Sequence, residues 1–126
     1  MVPFVSKVRE DLRLDAQKLV DRLQQSEVLE IIAGSLETSF HVRLVRDHGD
    51  ETPEAVGDDQ NTLMRIWVQD GDVIVAPYWK RHQSVKKRFS DYLAKTHNSH
   101  LEQLHLKDIE PDKVVDLLEA AANDVL

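Results

Sequence analysis

The dipeptide Asp70-Gly71 restricts the fold more than any other feature of the chain. It lies between two largely apolar segments, residues 61–69 and 72–77. Asp-Gly favours a two-residue hairpin turn, because both central residues of that turn need positive φ angles. We therefore predict that the two segments pair as antiparallel strands.

This pairing gives the hairpin two unlike faces. Val68 is expected opposite Val73, and Ile66 opposite Val75, so that together with Met64 they form one apolar face. The other face is only partly apolar, and its members are Leu63, Arg65, Trp67, Ile74 and Ala76. The first face is expected to join the core, and the second to be less completely buried.

Several other segments have the spacing of amphipathic helices, with apolar residues recurring every three or four positions. They are residues 6–24, 79–96 and 111–126, the last of which begins with proline, a residue tolerated in a first helical turn. Residues 26–34 are predicted to form a short helix that Ser26 caps. The alternative for this segment is a buried strand, because short apolar runs are ambiguous.

Two more segments are predicted to be strands. Residues 39–46 alternate between apolar and polar side chains, and residues 101–107 are a candidate strand. Their inward side chains are Phe40, Val42 and Leu44 in the first and Leu104 and Leu106 in the second.

The order α(α)-βββ-α-β-α places the chain in the α+β class. We expect a small antiparallel sheet, of three strands and a candidate fourth, with helices packed mainly on one face. A single domain over residues 1–126 is expected, since one core usually needs about 100–150 residues. The acidic segment 47–60 is predicted to be an exposed, mobile loop.

The composition argues against several kinds of chemistry. The chain has no cysteine, and its four glycines lie at least eight residues apart. Loops that bind nucleotide phosphates need clustered glycines, so we expect a protein without catalytic activity and without a cofactor. No segment approaches the ~20 apolar residues of a membrane span, and the first residues lack the pattern of a secretion signal. A cytoplasmic location and no membrane partner are therefore expected.

A positive segment stands out in this acidic chain. Residues 78–98 contain six cationic side chains and the single carboxylate of Asp91, a local charge of +5. Because the formal net charge of the whole chain is −7, the residues outside this segment carry a net charge of −12. Such a contrast orients an anionic partner, since the other surfaces repel it. The predicted partner-binding residues are Tyr78, Trp79, Lys80, Arg81, Lys86, Lys87, Arg88 and Lys95.

We interpret the basic helix as a contact surface for a nucleic acid or another phosphate-bearing partner. The order α-βββ-α, with lysines at the start of the last helix, resembles the layout of double-stranded RNA-binding domains, which implies phosphate contacts there. The glycine-rich segment that leads into this helix in that family is missing here, and Tyr78 and Trp79 occupy positions where small residues would be expected. Two alternatives remain open. One is an acidic protein partner, and the other is a solvated helix face neutralised by the acidic segments 47–60 and 99–126.

A second kind of surface is predicted on the partly apolar face of the hairpin. If Leu63, Trp67 and Ile74 are uncovered, they form an apolar patch suited to docking a protein partner or to homodimerisation. The protein would then be an adaptor, an inhibitor or a subunit of a larger assembly.

The histidines suggest a third hypothesis, a metal site. His97 and His100 are close enough in sequence to chelate one ion, and His105 could complete a three-ligand set with an open position for water. Zinc-binding helices use a different spacing, with histidines four residues apart. A polar loop that contains histidines is the alternative.

Overall fold

The computed structural model describes residues 3–33, 38–45, 62–78, 82–96 and 103–125. The helical elements in these ranges are α1 (Pro3–Ser6), a 3-10 turn (Glu10–Leu12), α2 (Arg13–Gln25), α3 (Gln83–Thr96) and α4 (Pro111–Val125). The strands are β1 (Leu29–Ala33), β2 (Ser39–Leu44), β3 (Thr62–Gln69), β4 (Asp72–Pro77) and β5 (Leu104–His105).

The five strands form one antiparallel sheet in the order β1-β2-β3-β4-β5. Each strand pairs with the next one along the chain, so the sheet is a meander. The predicted α+β class with a small antiparallel sheet is confirmed. The sheet has one strand more than expected, since β1 joins it in addition to the short β5.

The β3–β4 hairpin has the predicted turn and register. Val68 pairs with Val73, and the remaining pairs follow in the same register. The φ angles of Asp70 and Gly71 are +52° and +79°, as a two-residue turn requires. The local signal in the sequence therefore determined this element.

The prediction of a short helix over residues 26–34 is wrong, because strand β1 forms in this segment. All five residues of β1 pair with β2, beginning with Leu29 opposite Leu44. The Ser26 hydroxyl accepts hydrogen bonds from the backbone N–H groups of Val28 and Leu29 at 3.3 and 3.1 Å, as a helix cap would. Pairing with β2 continues from Leu29 to Ala33, whereas a cap satisfies only the first turn, so the alternative of a strand is confirmed.

The helix predicted over residues 6–24 is divided into shorter elements. Ser6 is the last residue of α1, and α2 begins only at Arg13. The interruption occurs at Arg9, which is extended and whose N–H donates to the carbonyl of Gly71 at 2.8 Å. The apolar stripe is nevertheless buried, namely Val8, Leu12, Ala16, Leu19, Val20 and Leu23.

The core lies between the sheet and the helices. Helix α4 packs against both α2 and α3, and apolar side chains of all three join one cluster with the sheet. The sheet contributes Leu29, Phe40, Val42, Leu44, Leu63, Met64, Ile66, Val73, Val75 and Leu104 to this cluster. In the described ranges, no helix is both long and apolar enough to cross a membrane.

We expect the substitution Gly71→Ala to destabilise the fold. A residue with a Cβ in the left-handed region costs about 1–2 kcal/mol, and the added Cβ would lie 3.2 Å from the Cβ of Arg9. The free energy of unfolding, measured by urea denaturation, should fall by at least about 1 kcal/mol. Asp70→Gly in the same turn is the control, since glycine adopts a positive φ without strain. Wild-type stability of Gly71→Ala would contradict this account of the turn.

Candidate nucleic-acid interface

Helix α3 is held in place by its apolar side. Val85, Phe89 and Leu93, spaced four residues apart, are buried in the core. Because this stripe packs into the core with the sheet and α4, the charged side of the helix faces solvent. The predicted binding residues on that surface are all exposed, namely Lys86, Lys87, Arg88 and Lys95.

Arg88 is paired within the chain. Its Nε and Nη2 atoms donate to the two carboxylate oxygens of Asp124 on α4, at 2.9 and 2.7 Å. This two-point hydrogen bonding raises the pKa of Arg88 and lowers the pKa of Asp124. Arg88 therefore links α3 to α4, and an external anion would have to compete with Asp124 for it.

Lys87 and Lys95 differ from Arg88 in this respect. Within the described part of the chain, neither lysine forms an ion pair with a carboxylate. They are eight residues apart, which corresponds to about 12 Å along a helix axis. Asp91 lies four residues from each of them and offsets part of their charge. The charge of Lys87 also helps to lower the pKa of Asp124, but neither amine is held in a described ion pair.

Of the two aromatic residues predicted to bind the partner, Tyr78 lies within the described residues. Tyr78 is half-buried, and the guanidinium carbon of Arg65 lies 4.9 Å from the centre of its ring, a cation–π contact. Trp79, Lys80 and Arg81 lie outside the described residues, as does the acidic segment 47–60. Their predicted roles remain predictions.

The second predicted surface, on the sheet, is largely buried. Leu63 belongs to the main core and is 1% exposed, and Ile74 is 3% exposed. Trp67 is half-buried, and its indole N–H donates to the side-chain oxygen of Gln69 at 3.3 Å. Of the three residues proposed for a protein interface, Trp67 therefore contributes most of the accessible apolar surface.

Of the three histidines predicted to bind a metal, His97 and His100 lie outside the described residues. Nδ1 of His105 lies 2.6 Å from Oδ2 of Asp72. In the part of the chain that is described, no group of three or more histidine, aspartate or glutamate side chains is arranged to hold a metal ion.

The contact between Asp72 and His105 could not be found from the sequence, since 33 residues separate them. It arises because β5 pairs with β4 and sets His105 opposite Ile74. Burial alone would raise the pKa of Asp72, but hydrogen bonds from His105 and from the N–H of Val73 outweigh it. The charge of Lys107 acts in the same direction, and the pKa of Asp72 is lowered.

We expect this contact to make the protein sensitive to acid. The pKa of Asp72 is lower in the fold than in the unfolded chain, so its contribution to stability is fully present above about pH 4. That contribution is lost as the pH falls through the lowered value. The decline in melting temperature between about pH 5 and pH 2 should be shallower in Asp72→Asn than in the wild type. Asp70→Asn keeps the contact and should decline like the wild type, whereas an unchanged decline in Asp72→Asn would refute the assignment.

Comparisons with known proteins do not indicate a function for this chain. No family model, curated protein or solved structure matches the chain. The exposed lysines of α3 and the charged pairs beside them are therefore the observations that bear on function.

Proposed function

We propose that the protein is a non-catalytic binding module that holds a nucleic acid through the exposed cations of helix α3. The observation that carries this proposal is the exposure of Lys87 and Lys95, neither of which is paired with a described carboxylate. Lys86 adds a third exposed amine. Lysines on a helix anchored in a core suit phosphate contacts, because each contact releases counterions from the nucleic acid.

The ion pairs between the helices also support α3 as the contact surface. Three carboxylates of α4 are engaged by α2, where Arg22 lies within 3.4 Å of Asp112, Asp116 and Glu119. Lys18 makes a further ion pair with Asp112 at 2.8 Å. The acidic side of α4 is thus largely directed towards α2. An anion that approaches α3 meets fewer of these carboxylates.

The spacing of the lysines favours a nucleic acid over an acidic protein. Lys87 and Lys95 are separated by about 12 Å along the helix. A nucleic-acid strand carries a phosphate about every 3.4 Å of its axis, so one strand can offer a phosphate to both amines. An acidic protein would need carboxylates placed at this separation.

Salt-dependent affinity tests the proposal. Fluorescence anisotropy would be measured with a labelled RNA duplex of about 16 base pairs, and with single-stranded RNA and DNA of the same length. We expect the logarithm of the affinity to fall linearly with the logarithm of salt concentration. In Lys87→Gln/Lys95→Gln the affinity should fall several-fold and the salt slope by about 2.

The matched control removes the same charge elsewhere. Lys7→Gln/Lys18→Gln changes two lysines of the N-terminal elements and should bind nearly as the wild type does. The proposal is overturned if both double variants lose affinity equally, or if no nucleic acid binds at low salt. Binding of polyglutamate alone, dependent on Lys87 and Lys95, would point instead to an acidic protein partner.

Asp124→Asn provides a test in the opposite direction. It removes a carboxylate beside α3 and releases Arg88, so we expect tighter binding of the same labelled nucleic acid. Asp21→Asn removes one negative charge from α2, where its carboxylate accepts a hydrogen bond from Gln17. A gain in Asp124→Asn that exceeds the gain in Asp21→Asn supports α3 as the interface, and equal gains would contradict it.

A further inference from the structure

A cavity of about 310 Å³ lies at the turn end of the β3–β4 hairpin. Three separate parts of the chain line it, including Arg9 from the N-terminal segment and His105 from β5. Ile74 also lines it, and by strand alternation Ile74 lies on the sheet face opposite the one that its neighbours Val73 and Val75 turn to the helices. The cavity is therefore on the other side of the sheet from α3, and its chemistry is independent of the proposed nucleic-acid interface.

The position of Arg9 at the cavity is set by its backbone. Its N–H donates to the carbonyl of Gly71 at 2.8 Å, and the absence of a Cβ at Gly71 permits this close approach. The side-chain Nε lies 2.9 Å from a carboxylate oxygen of Asp11. Nε makes the shortest contact of this ion pair, and no other described carboxylate forms an ion pair with Arg9. A guanidinium has five N–H donors, so this positive group at the cavity keeps donors that Asp11 does not use.

His105 and Gln69 are oriented by hydrogen bonds that leave a second polar atom unused. Nδ1 of His105 contacts Asp72, which leaves Nε2 as the other ring nitrogen, and the side chain is 43% exposed. The amide oxygen of Gln69 accepts the indole N–H of Trp67, which leaves its NH₂ group as a donor. Both residues line the cavity, as does Gln103.

The charges at the cavity are of both signs. The carboxylate of Asp72 is balanced by His105, when protonated, and by Lys107, whose amine lies 3.8 Å away. Asp70 also lines the cavity, and no described residue forms an ion pair with it. A guanidinium and an exposed carboxylate thus border the same space, so a ligand with one charge would meet a repulsive group as well as an attractive one.

We propose that this cavity binds a free α-amino acid. The ligand's carboxylate would meet Arg9, whose planar fork suits a carboxylate, and its ammonium group would meet Asp70. Gln69 and Gln103 supply donors and acceptors for a polar side chain, and the volume is at the lower end of the range for ligand sites. A phosphate dianion suits the cavity less well, because Asp70 and Asp72 both border it.

NMR titration of the ¹⁵N-labelled protein tests this proposal. Glycine, L-alanine, L-glutamate, L-glutamine and L-lysine would each be added to millimolar concentration, with acetate and methylamine as single-charge controls. We expect at least one amino acid to give saturable shifts of the Gly71 and His105 amide signals. Acetate and methylamine should bind at least about tenfold more weakly, because each lacks one charged contact.

Two variants connect these shifts to the cavity. Arg9→Gln keeps the backbone contact to Gly71, and Asp70→Asn keeps a residue that tolerates a positive φ, so both should fold. Each should weaken amino-acid binding about tenfold, whereas Lys87→Gln/Lys95→Gln should leave it unchanged. The proposal is overturned if none of the five amino acids gives a saturable shift, if acetate binds equally well, or if both cavity variants bind like the wild type.

Discussion

Burial of one face of the sheet is the constraint on which the rest of this structure depends. Phe40, Ile66 and Val75 lie on that face and are at most 2% exposed. Removal of such apolar surface from water contributes about 25 cal/mol per Å² and is the main favourable term in folding. Helices α2, α3 and α4 provide the cover. Because each helix turns its apolar stripe to the sheet, its charged side chains are directed to solvent or to a neighbouring helix.

The charges of the helix layer follow from the position of α4, which packs against both other long helices. Its carboxylates are divided unequally between them. Arg22 of α2 contacts three of them, whereas α3 pairs with α4 through Arg88 and Asp124. Such exposed pairs contribute little to stability, but they decide which cations remain accessible. On the α3 side of the layer, Lys87 and Lys95 are therefore exposed and form no ion pair with a described carboxylate.

The sequence predicted the elements that have strong local signals. The Asp70-Gly71 turn determined the β3–β4 hairpin and its register, because few dipeptides accept two positive φ angles. The spacing of apolar residues located α4 and the buried stripe of α3. The local sequence pattern around Ser26 was ambiguous. Its hydroxyl accepts hydrogen bonds from the next N–H groups, as a helix cap would, but the residues that follow form a strand. The choice there depended on pairing with β2, a non-local interaction that periodicity does not report.

The candidate sites, too, were predicted only in part from the sequence. The sequence by itself determined that cations concentrate after the hairpin, that their helix has an apolar side, and that the surrounding chain is acidic. Only the tertiary structure decided that Arg88 is paired with Asp124 while Lys87 and Lys95 have no described carboxylate partner. Only the tertiary structure brought Arg9 and His105 to one cavity. The physical reason is that charges and hydrogen-bonding groups act over a few ångströms in space, and the packing of helices and strands sets those distances independently of separation along the chain.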